Sequence, residues 1–185
     1  MNTAIDKAHL AQFSNQQLNT INNSAAMAEE LVSNHYKMSA SQWLRRRYDF
    51  KTLADLSSGE IVQGPFAQII RYVGHKQDAP LSSTTYDFYK ICLQDHCIIG
   101  ALETSPIIEL HPFSLYITTH ELIHIVRFSK FLCNFEATEE EKMIEEAWVH
   151  RRTREILAPL TTPGLPAVLN FYEKWRIPLD ELETF

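Results

Sequence analysis

The sequence predicts a mainly α protein, a single-domain, helical bundle-like fold over residues 1–185 with at most a small extended segment near 67–73. Three observations carry this expectation. Apolar residues recur at helical spacing through most of the chain, and the stretch from about 112 to 132 is apolar on every side. Strand-like composition is confined to Ile69-Ile70-Arg71-Tyr72-Val73, between the breakers Gly64-Pro65 and Asp78-Ala79-Pro80. At 185 residues the chain can bury one sizeable core and is short for two.

Residues 1–40 read as an N-terminal helical extension or arm. Leu10, Phe13, Leu18 and Ile21 are spaced as a weak amphipathic helix, and good helix formers from Ser24, with Met27 and Leu31, predict a second. The core, 41–160, begins with a helical segment carrying Trp43, Leu44, Tyr48 and Phe50 as far as Leu56, which Ser57-Ser58-Gly59 ends. Thr85-Tyr86-Asp87 can cap a helix from Phe88 to about Leu102, with Tyr89, Cys92, Leu93, His96 and Ile99 at three- and four-residue steps. After Ser105-Pro106, a central helix is expected from about Pro112 to Leu132, and its all-round apolar surface makes it a buried one. Thr138 and Glu141 form a capping box for the next helix, which has acidic residues in its first turn, arginines in its last third and a stop before Pro159. Residues 161–185 read as a short helix around Leu165 to Trp175, followed by a tail.

Composition excludes several function classes. A formal charge of -6 argues against a nucleic-acid binder, and the single basic run, Arg45-Arg46-Arg47, diverges around a helix as a solvated face. The cysteines Cys92, Cys97 and Cys133 are odd in number and lack CxxC spacing, so neither a disulfide framework nor a thiolate zinc site is expected, and a reducing compartment is implied. The first residues lack the basic start and apolar run of a signal peptide, and no uncharged apolar stretch approaches membrane-spanning length. A cytoplasmic protein with neither nucleic acid nor membrane as partner is expected. Apolar residues of the N-terminal helices suit either a homo-oligomer interface or packing against the core.

The chemistry concentrates at His120-Glu121-Leu122-Ile123-His124, the HExxH pattern. Residues four apart on a helix project to one side, so His120 and His124 can hold one cation while Glu121 stands beside it as general base. An imidazole or carboxylate in a dry helix is costly without partners, and a divalent cation would supply them. The competing reading has two core histidines bonded to backbone or neighbouring carboxylates, with Glu121 paired to Arg127 or Arg71. A catalytic zinc takes three protein ligands and keeps one position open. Glu146, which shares a helical face with Met143, Ala147 and His150, is the candidate third ligand, whereas Glu145 falls with Glu141 and Arg152 on a wetter side.

Over residues 120–150 the chain resembles the gluzincin, or thermolysin-like, branch of the zinc metallopeptidases. There the third ligand is a glutamate on the next helix, within Asn-Glu-Ala-x-x-Asp. This chain reads Glu145-Glu146-Ala147-Trp148-Val149-His150, with Glu146 22 positions beyond His124. The resemblance implies His120, His124 and Glu146 as zinc ligands and Glu121 as the base acting on a metal-activated water, in a small cytoplasmic metalloprotease whose substrate, a peptide or a small molecule, is unknown. His150 stands in the place of the family's aspartate, as a partner or alternative ligand, and Glu145 in that of its asparagine.

Around the site, Tyr116 is a core tyrosine or an oxyanion donor, and Arg127 holds a substrate carboxylate or a glutamate such as Glu121 or Glu146. Gln94, Asp95, His96 and His111 read as capping or surface residues with a possible supporting role. Two other functions compete. Glu121-x-x-His124 is also a step of ferritin-like di-metal carboxylate proteins, which would carry iron or manganese in place of zinc. The other is a non-catalytic helical interaction or regulatory protein with a structural metal site.

Overall fold

A computed structural model of the chain describes residues 7–39, 42, 48–75, 85–130, 132 and 134–173. Among the described residues are the α-helices α1 (Asn15–His35), α2 (Asp95–Thr104), α3 (Leu110–Ser129), α4 (Glu139–Leu157) and α5 (Leu165–Phe171). A three-stranded sheet comprises β1 (Tyr48–Lys51), β2 (Ala67–His75) and β3 (Thr85–Leu93). The protein is mainly α, as expected, and the sheet is larger than expected. Its order is β1-β3-β2, with β1 parallel and β2 antiparallel to the central β3.

The organising element is α3, which packs against α1, α4, α5 and β2. Its residues from Pro112 to His120 are all buried, as are Leu122 to Val126, which is what an all-round apolar surface requires. The N-terminal arm belongs to this core. One helix, α1, replaces the two expected, because Ser14 and Gln17 form a reciprocal capping box at 3.3 and 2.9 Å and start the helix well before Ser24. Its Ile21, Ala28 and Val32 are buried in the main core beside α3 residues such as Phe113 and Ile117. The α4 cap forms as expected, with Thr138 Oγ1 accepting from Glu141 N–H at 3.3 Å and Glu141 Oε2 accepting from Thr138 N–H at 2.8 Å.

Two expected helices are corrected to strands. The segment ending at Leu56 contains β1 and a short 3-10 turn, Leu53–Asp55, while Trp43, Leu44 and the basic run 45–47 lie outside the described residues. The helix expected over Phe88 to Leu102 is β3 followed by α2. In β3, Tyr89, Ile91 and Leu93 face the main core, while Cys92 joins a second, smaller core with Leu53, Leu56 and Ile61 on the other side. The steps between Tyr89, Cys92 and Leu93 thus belonged to two faces of a doubly covered strand. At the strand-to-helix junction, buried Asp95 accepts from the backbone N–H of Phe13 at 3.1 Å and of Leu53 at 2.8 Å, pinning two distant segments. The helix expected to reach Trp175 is α5, which ends at Phe171; residues 174–185, and with them the expected tail, lie outside the described residues, as do Asp78-Ala79-Pro80, Phe131 and Cys133.

The small core is closed by a buried carboxylate. Glu60 accepts from Lys90 Nζ at 2.5 Å, Tyr72 Oη at 2.7 Å, and Ser57 N–H and Oγ at 2.8 and 2.9 Å. Burial works to raise its pKa, but these four donors outweigh burial and bring it from 4.5 down to about 2. A carboxylate with a depressed folded-state pKa stabilises the fold above its unfolded pKa, and that contribution fades as pH falls from 4.5 through about 2. Glu60→Gln is therefore expected to cost about 1–3 kcal/mol at neutral pH and to flatten the acid limb of stability. Urea unfolding of both proteins between pH 7 and pH ~2 checks this, and parallel stability curves would refute it.

Candidate metal centre

The site lies where α3, α4 and the start of β2 meet. One turn of α3 places His120 and His124 on the side facing α4, and their Nε2 atoms are 3.1 Å apart. Across from them, Glu146 brings Oε2 to 3.2 Å from His120 Nε2 and Oε1 to 3.1 Å from His124 Nε2. Among the described residues this is the only group of three or more ligand-type side chains gathered closely enough to hold a metal ion. One ligand atom from each of the three lies within 4.8 Å of the others, so together they could hold a metal ion.

The charges are tuned by this contact. More than half of the Glu146 side chain is exposed, at 54%, yet its carboxylate end is turned to the histidines. Partial burial works to raise its pKa, but hydrogen bonds from His120 and His124 outweigh it and hold the group well below the ordinary carboxylate range. For His124, burial works against the cation, and the Glu146 carboxylate, with Glu121 and Glu145 nearby, raises its pKa above 6.5 nonetheless. Burial pushes Glu121 up, as does Glu146, against the lowering effect of His120 and His124. Glu121 is half-buried and stands beside the triad without joining it.

A cleft opens over these residues, and His120 and Glu146 of the triad stand at its waist. On one side is a chamber of about 650 Å³ walled by Ile69, Phe128, Leu132, Phe135 and Ile144. On the other is a chamber of about 770 Å³ walled by Phe66, Tyr116, Ile117, Met143, Ala147, His150 and Tyr172. His120, Glu121 and Glu146 line both, as do Pro65 and Ala67. Beneath the second chamber, Phe66 packs edge-on against Phe113 with centroids 4.9 Å apart, and Tyr116 stacks on Tyr172 at 3.9 Å. Compared with known protein families, curated proteins and solved structures, the chain matches none.

The remaining expected site residues fall as follows. Tyr116 is a core tyrosine, with its hydroxyl 3.0 Å from His150 Nδ1. His150 is buried and its ring lies 4.4 Å from that of His120, but it stands outside the ligand triad. Arg127 pairs with Glu145, not with Glu121 or Glu146, through Nε at 2.5 Å and Nη2 at 2.7 Å. Arg71, the other cation considered for Glu121, donates to Asp87 at 2.9 Å. The expected contrast between the two glutamates is reversed in exposure: Glu145 is 15% exposed and Glu146 54%, because Glu146 faces an open cleft while Glu145 is drawn under Arg127. Gln94 and Asp95 are buried in the fold, and His111 Nδ1 lies 2.8 Å from Ser24 Oγ between α1 and α3. Sequence reasoning missed the contribution of β2 and of Tyr172 to the cleft. The breaker pair Gly64-Pro65 ahead of a β-branched run marked the turn that brings β2 there, whereas no local pattern marked Tyr172.

Proposed function

We propose that the protein is a zinc-dependent hydrolase, a small cytoplasmic metalloprotease of gluzincin-like type. The supporting observation is the convergence of His120, His124 and Glu146 on one point that opens to a cleft, with a carboxylate from outside the triad, Glu121, at the same place. Zinc, when bound, supplies Lewis acidity and makes a water more acidic. Glu121, which lines the cleft beside the triad, would accept a proton from a water there and pass it to a leaving amine. β2 is an edge strand, and Ala67, Gln68 and Ile69 line the cleft, so an extended peptide could pair with it beside the triad. The single ligand cluster among the described residues favours one metal over the di-metal alternative, which would carry iron or manganese.

Zinc titration of the metal-free chain tests the reading. About one zinc per chain is expected. At 100-fold excess over Kd it should add ~2.7 kcal/mol of stability and raise Tm by about 5–10 °C. Glu146→Ala should lose most of both effects. A wild-type chain that takes up no zinc and gains no stability from it would overturn the proposal.

A further inference from the structure

We propose that Glu145 is a positioning residue for His124, clamped in place by Arg127, so that the residue just before the third ligand supports the metal site from behind. The inference rests on the metal-binding reading above and goes beyond its ligand set. His124 turns Nε2 to His120 and Glu146, while its Nδ1 is buried and makes no hydrogen bond. An imidazole that offers Nε2 to a cation carries its proton on Nδ1, and that N–H needs an acceptor. Glu145 Oε1 stands 3.9 Å from this nitrogen, so a closer approach of about 1 Å completes a normal hydrogen bond.

The carboxylate is built to stay there. Arg127 holds both Glu145 oxygens in a bidentate pair, and the two side chains are only 12% and 15% exposed. The guanidinium lies 3.7 Å over the Trp148 ring, which fixes the arginine in turn. A bidentate pair sets the plane of the carboxylate and leaves Oε1 a lone pair for a second donor. His150, which stands where the gluzincin pattern has its supporting aspartate, is engaged with Tyr116 through Nδ1. The carboxylate that faces His124 Nδ1 is that of Glu145, at 3.9 Å.

The test is calorimetric zinc titration of the full chain in three variants beside the wild type. Glu145→Ala should bind zinc about 10- to 100-fold more weakly, while Glu145→Gln, whose amide oxygen can still accept, should lose less. Because Glu145→Ala removes the carboxylate that Arg127 holds, Arg127→Met/Glu145→Met removes both charges together. That double variant should melt near the wild type without metal and still show the zinc deficit of Glu145→Ala. In zinc-loaded wild type the His124 Nδ1–H should be observable by nitrogen-15 NMR and exchange slowly, and in Glu145→Ala it should exchange fast. Wild-type zinc affinity in Glu145→Ala or in the double variant would overturn the inference and leave the metal site standing. A wild type that binds no zinc would overturn both.

Discussion

Glu121→Gln is expected to keep its zinc and to hydrolyse peptides about 10²- to 10⁴-fold more slowly than the wild type. Gln matches Glu in shape and lacks only the ability to accept and return a proton. Glu121 lies outside the ligand triad, so the substitution leaves His120, His124 and Glu146 in place. It also removes a carboxylate that burial already disfavours in its charged form, so folding should not suffer. Zinc content measured beside turnover of a mixed peptide pool makes the comparison. Full zinc occupancy with unchanged turnover would rule Glu121 out as the base. A second outcome, full occupancy with no turnover in either protein, would favour the structural-metal alternative.

The largest effect on stability is expected at Phe113. Its ring is fully buried and packs against Phe66, Phe171 and Tyr172 with centroids 4.9, 5.6 and 6.0 Å away. These contacts tie α3 to α5 and to the segment that leads into β2. Phe113→Ala removes the centre of the cluster and leaves a cavity that surrounding rings can fill only in part. A loss of about 3–5 kcal/mol is expected, equivalent to a fall in Tm of roughly 10 °C. Because Phe66 and Tyr172 also wall the larger chamber, the variant should loosen that wall as well. Urea unfolding gives the first quantity, and a loss below about 1 kcal/mol would show that the cluster collapses around the gap.

The helical part of this fold was legible because its signals are local. Thr138 and Glu141 announce the start of α4, and the apolar surface of residues 112–126 announces a helix surrounded on all sides. The sheet was not legible for two reasons. Tyr89, Cys92 and Leu93 satisfy a helical period and a two-faced strand equally well, and only the second core of Leu53, Leu56 and Ile61 decides between them. The parallel pairing of Tyr48–Lys51 with Tyr89–Cys92 joins segments some forty residues apart, which no window along the chain can register.

For the site, the four-residue step that sets His120 and His124 on one side of α3 followed from helix geometry alone. What helix geometry could not supply is which glutamate is wet. That depends on where the cleft opens and on Arg127, whose choice of Glu145 is made across two helices. His150 could be placed on the correct face of α4 from sequence, but its engagement with Tyr116 depends on how α3 and α4 cross.

The two helices that meet at the triad are unequally secured, and this has a kinetic consequence. α3 is surrounded along its length, whereas every residue of α4 from Glu139 to Ile144 is exposed. Local opening takes place where few apolar contacts must break, so the N-terminal turns of α4 open long before α3 does. The opening turns end before Glu145, which Arg127 holds, so the part of α4 that carries Glu145 and Glu146 opens later than they do. The Thr138 cap therefore governs how often the first turns of α4 fray, a quantity that amide hydrogen exchange registers and equilibrium unfolding does not.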